Sequence, residues 1–259
     1  MKQKPLIELA ERLTQARLTK TPVVQLSTEH ELTRSDAYAI QEEGLRHREK
    51  NNEVLIGYKM GLTSEAKRRQ MNLDAPLYGV LTDKMQLHNG GVFPLERGIH
   101  PKIEPEVAFL LKKDLSGSPT RAEMIDAIDA VAAGLEILDS RYTQFKYFSM
   151  EDVISDNSSS SHFVLGEWNT DFQKLALDNL ALEMKVNQKL ATSGSTKAIS
   201  GDPLLSLKQQ CELLNERGLG LKKGMIVLAG AATEAFHLEP GLEISLIVEG
   251  LAPLSIRTP

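Results

Sequence analysis

The chain has 259 residues and a formal net charge of −5, with 25% charged, 41% hydrophobic and only 5% aromatic residues. A chain of this length buries roughly three quarters of its unfolded surface, so it is expected to fold without staples, and its pI near 5.8 argues against a binder of phosphate backbones. The single cysteine, Cys211, excludes an internal disulfide and a thiolate zinc cluster, and no apolar run approaches the ~20 residues that cross a bilayer, so a soluble cytoplasmic protein is expected.

At the start of the chain Leu6, Ile7, Leu9, Ala10, Leu13 and Ala16 recur at helical spacing, with Glu8, Glu11, Arg12 and Gln15 mostly opposite. This predicts an amphipathic first helix. Thr33-x-x-Asp36 reads as a variant capping box that opens a second helix over Ala37, Ile40 and Leu45. Residues 1–52 are therefore predicted to form an N-terminal helical segment.

From Val54 the pattern changes to short apolar or alternating runs: VLIG, MQLHN, IEPEVAFLL, GLEILDS, HFVLGEW, LEMKVN, MIVLAG and LEISLIVEG. Their spacing and Gly/Pro punctuation predict a β-rich domain over 53–259. Helices are expected to interrupt it after Thr63, after Thr120 with its Glu123 capping box, and after Asp202, where Pro203 takes the first helical position. The mixture is no regular βαβ repeat, which points to an α+β fold.

The segment Ile103-Glu104-Pro105-Glu106-Val107 heads a strong strand pattern. Strand side chains alternate faces, so Glu104 and Glu106 point the same way. Two like charges held together cost energy unless neutralised. A solvated strand face is one solution, and a hard divalent cation such as Mg²⁺ or Mn²⁺ is another. Pro105 has no N–H and predicts a sheet edge or strand entrance. Glu136 lies in the apolar run GLEIL, where a buried carboxylate needs a partner. That partner is either a metal shared with the first two glutamates or a cation such as Arg141.

Lys59, in GYKMGLTS, follows an apolar strand and precedes a turn; it is a candidate proton donor or carboxylate clamp, or else a lysine at a strand end. A helix opening near Thr63 and Ser64 would present N–H groups to an anion. The polar loop Asp156 to Ser161 offers hydroxyls and an amide. No G-x-S-x-G elbow accompanies its serines, the six histidines show no metal-ligand spacing, and neither a G-x-G-x-x-G nor a P-loop signature occurs.

Taken in order, GYKMGLTS, KIEPEVAFLL, GLEILDSR, DNSSSSHFVLG and GMIVLAGAAT resemble the fumarylacetoacetate hydrolase superfamily. Within it they look most like the branch of 2-hydroxypentadienoate hydratases and 4-oxalocrotonate decarboxylases of aromatic meta-cleavage pathways. The likeness runs from about residue 5 to the C-terminus. It implies a mixed β-roll or sandwich of the fumarylacetoacetase C-terminal type with an N-terminal helical segment. It also implies a Mg²⁺ or Mn²⁺ ion held by Glu104, Glu106 and Glu136 that chelates a small 2-oxo acid, Lys59 as the active-site lysine, and Asp156 and Ser159 on the substrate loop.

Hydratases of this branch carry an acidic residue in a turn that reads Pro76-Leu77-Tyr78-Gly79 here, and Leu77 cannot move a proton. HPKIEPE and ILDSRY also look more like the decarboxylase. The resemblance thus implies Mg²⁺-dependent decarboxylation of 2-oxohex-3-enedioate to 2-oxopent-4-enoate, with Leu77, Arg141, Asp156 and Ser159 against the substrate. Hydration of 2-oxopent-4-enoate is the alternative, and a non-catalytic partner subunit of the hydratase a distant one. Self-association and a complex with the hydratase are expected; nucleic-acid and membrane partners are not.

Overall fold

The computed structural model describes residues 3–63 and 76–259. The helix expected after Thr63, and with it Ser64, lies outside the described residues. The two N-terminal helices are where the periodicity places them. α1 (Gln3–Thr19) turns Leu9, Ala10, Leu13 and Ala16 inward. α2 (Arg34–Lys50) opens on a reciprocal cap, with Asp36 N–H donating to Thr33 Oγ1 at 3.1 Å and Thr33 N–H to Asp36 Oδ2 at 3.0 Å. Such a cap satisfies two amides that the helix itself leaves unpaired. Leu9, Ala10, Leu13 and Ile40 pack with Leu26 and Tyr142, and Tyr38 stacks on Tyr78 with ring centroids 4.5 Å apart.

Residues beyond 53 build two sheets. The larger is mixed and runs in the order β2 (Leu77–Thr82), β1 (Leu55–Gly61), β9 (Ile226–Leu228), β4 (Lys102–Leu111), β5 (Ile128–Leu138), β6 (Ser160–Leu165) and β3 (Gln86–Leu87), with β10 (Phe236–His237) also pairing β4. The smaller is antiparallel: β12 (Leu254–Arg257), β11 (Glu243–Val248), β7 (Ala181–Val186) and β8 (Lys189–Ser195). α3 (Arg121–Ala127) starts at the Thr120 capping box, α4 (Met150–Ser155) precedes the serine loop, and α5 (Pro203–Asn215) starts at Asp202 with Pro203 in its first turn. The architecture is the expected α+β fold.

Strand β4 shows how alternation organises the interior. Ile103, Val107, Phe109 and Leu111 enter the main core with the buried residues of β5, β7, β11 and α5. Full burial of side chains of this size contributes about 1.5–3 kcal/mol each. The opposite face carries Glu104, Glu106 and Ala108, and there Ala108, Phe163, Leu165, Ile226 and Leu228 form a smaller apolar cluster. The glutamates therefore share a face with a dry layer.

The edge expected from Pro105 is not found. β4 is an interior strand, paired along its length with β5 and, on its other side, with β9 at 108–110 and β10 at 102–103. Pro105 falls between those last two ladders, where its carbonyl accepts from Ala232 N–H and its missing donor deprives no strand. Proline is tolerated in an interior strand at such an interruption. β2 and β8 escaped the alternation pattern for opposite reasons: every residue of β2 is buried, and β8 is largely exposed. β5 begins at Ile128, well before the run GLEILDS, in an alanine-rich stretch whose weak strand propensity is overridden by pairing with β4.

Candidate metal centre and active site

In the antiparallel β4–β5 ladder Glu104 lies opposite Glu136 and Glu106 opposite Gly134. Alternation then puts all three carboxylates on one face. An oxygen from each lies within 4.8 Å of the others, and all three residues are buried. β1 adds Lys59, itself buried, whose Nζ donates to Glu136 Oε2 at 3.0 Å. Glu136 Oε1 accepts from Ser160 Oγ at 2.8 Å. The cation facing Glu136 is thus Lys59 and not Arg141, within the same cluster as the other two glutamates.

Glu106 is held differently. Its Oε2 accepts from Gly230 N–H at 2.8 Å, while its buried Oε1 has no hydrogen-bond partner. Gly230 has a φ of +112°, and a Cβ there would run into Thr63, so only glycine brings that amide to the carboxylate. Burial first, then the charges of Glu136 and Glu104, push the Glu106 carboxyl well above the usual carboxylate range, with Lys59 opposing. Burial likewise raises Glu136, against the pull of Lys59. A buried carboxylate oxygen lacking a partner, beside two more carboxylates, fits a hard divalent cation that prefers oxygen ligands.

A cavity of about 500 Å³ opens above this cluster. Lys59, Gly61, Thr63, Lys102, Glu104, Leu138, Phe145, Tyr147, Ser158, Ser159 and Glu234 are among its lining residues. Ser158 and Ser159 reach it from an unusual backbone: Asn157, Ser158 and Ser159 have φ of 52°, 53° and 57°. Left-handed residues other than glycine cost on the order of 1–3 kcal/mol each, so surrounding contacts must hold the run. Asn157 does so from one side, accepting from Val80 N–H at 2.7 Å and donating to Val80 O at 3.1 Å.

Asp156 and Arg141 do so from the other. The Arg141 guanidinium bonds the Asp156 carboxylate and also donates to Asp139 O at 2.5 Å and Ser160 O at 3.2 Å. Tyr147 O–H and Ser140 Oγ donate to Asp156 at 3.0 and 3.1 Å, and Tyr147 also hydrogen-bonds Ser159 Oγ. Burial raises the Asp156 carboxyl to about 6 against the pull of Arg141.

Of the residues expected at the site, Lys59, Glu104, Glu106, Glu136 and Ser159 come together. Arg141, Asp156 and Leu77 were expected against substrate but do not line the cavity. The first two form the ion pair behind the serine loop, because a fully buried guanidinium and carboxylate need each other more than they need solvent. Leu77 is fully buried and pairs with Gly61 across the β1–β2 ladder, its Cδ1 against the Gly61 backbone. Lys102, Phe145 and Tyr147 were not foreseen, whereas Ser160, which donates to Glu136, belongs to the polar loop that was. Lys102 was legible, standing two residues before Glu104 on the same strand face.

This fold, with its buried carboxylate cluster beside a cavity, defines a family, and the chain belongs to it: the fumarylacetoacetate (FAA) hydrolase C-terminal family matches residues 57–257. The chain is 38% identical to a 4-oxalocrotonate decarboxylase from a Pseudomonas species over 96% of both chains. It is 34% identical to a 2-hydroxyhexa-2,4-dienoate hydratase from Comamonas testosteroni over 99% of both. The solved structure of 4-oxalocrotonate decarboxylase from Pseudomonas putida G7, complexed with magnesium and adipate, superimposes with a TM-score of 0.96 at 34% identity, covering 100% of this chain and 99% of that one.

Proposed function

We propose that this chain decarboxylates 2-oxohex-3-enedioate to 2-oxopent-4-enoate, using Mg²⁺ or Mn²⁺ held by Glu104, Glu106 and Glu136. The observation that carries the reading is Glu106 Oε1, buried without a partner beside two further carboxylates, one of which, Glu104, lines the cavity. Similarity to the decarboxylases over the whole chain supports the substrate class. A divalent cation held by these glutamates would supply Lewis-acid stabilisation at the 2-oxo group; the C5–C6 bond breaks with loss of CO₂, and its electron pair passes through the C3–C4 double bond toward the C2 oxygen.

The chain's own residues do the rest. Lys59 fixes Glu136 and holds a proton at its Nζ on the cavity wall, beside a carbon chain that becomes electron-rich when CO₂ leaves. Ser158 and Ser159 offer hydroxyls to the bound acid. Arg141 and Asp156 position those serines through the left-handed run. Leu77 backs Gly61 with an apolar, non-titrating side chain, so no acid at that position holds a water for addition.

The test is an assay of 2-oxohex-3-enedioate with Mg²⁺ and with EDTA, scored for CO₂ and for hydrated product. CO₂ release that EDTA abolishes is expected; CO₂ release that survives exhaustive chelation overturns the reading. The hydratase relative at 34% identity makes water addition to 2-oxopent-4-enoate the second reading, and the same assay with that monocarboxylate distinguishes it. A hydratase is the class of enzyme that consumes the product. A complex with it and self-association of this chain are the assemblies proposed, measurable by light scattering of the two proteins alone and mixed.

A further inference from the structure

We infer that Lys102 selects the substrate's far end, holding the C6 carboxylate of a six-carbon 2-oxo diacid while the C1–C2 end lies at Glu104, Glu106 and Glu136. The inference rests on the proposed function and adds the residue that tells a diacid from a monoacid.

Lys102 and Glu104 both line the cavity, on the same face of β4. Two residues of strand separate them by about 6.7 Å along the sheet, and the flexible four-carbon stem of a lysine adds reach. A straight-chain acid anchored by one end at the carboxylate cluster and laid along β4 therefore brings its other end to the Lys102 ammonium. Lys59, the second lysine of the wall, is already bonded to Glu136.

The Lys102 ammonium is held in place without a bonded carboxylate, the charge of Glu104 two residues along the strand acting on it through space. Its Nζ sits 4.4 Å from the centroid of the Phe145 ring, a contact that steadies a cation without supplying a countercharge. Among the described residues no carboxylate forms an ion pair with it, and Glu234 of the same wall is not bonded to it. Phe145 is presented by a turn in which Gln144 and Phe145 have φ of 61° and 52°. Non-glycine residues in that region are retained where surrounding structure over-determines them. A partly buried ammonium resting on an aromatic face in the wall of an anion-binding cavity is a carboxylate receptor.

The experiment compares Mg²⁺-dependent binding of two unreactive acids that differ only in the far carboxylate, 2-oxohexanedioate and 2-oxohexanoate, by calorimetry on the parent, Lys102→Met and Lys102→Arg. The parent is expected to prefer the diacid by roughly tenfold to a hundredfold, the range of one charge-assisted hydrogen bond. Lys102→Met loses that preference with its affinity for 2-oxohexanoate unchanged, and Lys102→Arg keeps most of it. In turnover, KM for 2-oxohex-3-enedioate rises in Lys102→Met more than kcat falls. A Lys102→Met protein that retains the parent's preference overturns this inference alone, and one that loses both acids alike overturns it by showing a structural role. A parent that binds neither acid with Mg²⁺ overturns the proposed function and this inference with it.

Discussion

Glu106 concentrates the physics of the site in one side chain. Its carboxylate has a single amide donor at 2.8 Å and an oxygen with no partner, in a place where burial and two like charges oppose ionisation. Removing that charge should relieve the metal-free protein and disable metal binding together. With Mg²⁺ at about one hundred times its Kd, mass action adds about 2.7 kcal/mol to the parent, or roughly 5–10 °C in Tm for a chain of this size. In Glu106→Gln that increment should vanish, while without metal the variant melts no lower than the parent. Thermal scans with and without Mg²⁺ check both halves, and a parent Tm indifferent to the ion would count against the metal site.

At the scale of elements, the site is a strand pair plus a loop, and the two were unequally legible. The common face of Glu104 and Glu106 follows from the period of two in a strand and needs no partner to be known. The role of Arg141 could not be read that way. Its pairing with Asp156 joins the end of β5 to the turn after α4, and no local pattern relates the two. Breaking a buried pair by removing one partner costs about 3–5 kcal/mol, because the other charge is left stranded. Arg141→Met should therefore destabilise by that amount in denaturant titrations. Its kcat should fall as Ser158 and Ser159 lose their left-handed support, and Asp156→Asn added to it should cost much less than the sum. Leu77 gives a second test of the same layer: a carboxylate introduced there enters a fully buried position behind Gly61. Leu77→Asp should lower stability by several kcal/mol, with decarboxylation impaired beyond any gain in hydration, as product analysis at equal folded concentration will show.

For the whole molecule, acid sensitivity is set partly by a histidine outside the cavity lining. His162 packs 5.2 Å from the Phe93 ring centroid, with Nδ1 2.8 Å from Ser161 Oγ. Burial first, and then the charges of Arg48, Arg97, Lys20 and Arg17, push it from 6.5 down to about 3. A histidine depressed on folding takes up its proton more readily in the unfolded chain. Its contribution to stability is complete above pH 6.5 and is lost progressively as the pH falls toward 3. Stability measured by urea unfolding should decline over that window, and His162→Gln should flatten part of the decline.

What the sequence determined by itself was whatever depends on near neighbours. The two N-terminal helices, the capping boxes at Thr33 and Thr120, the helix start at Asp202 and the shared face of Glu104 and Glu106 are all set by spacing and by side chains a few residues apart. Only tertiary structure decided that β9 enters between β1 and β4, carrying the segment whose Gly230 amide meets Glu106. The same holds for the bond from Lys59 to Glu136, for Pro105 in the interior of the sheet, and for Arg141 turning toward Asp156 rather than Glu136. Each of these is a contact between residues far apart in sequence. Its strength comes from burial, and burial exists only once the sheets have closed.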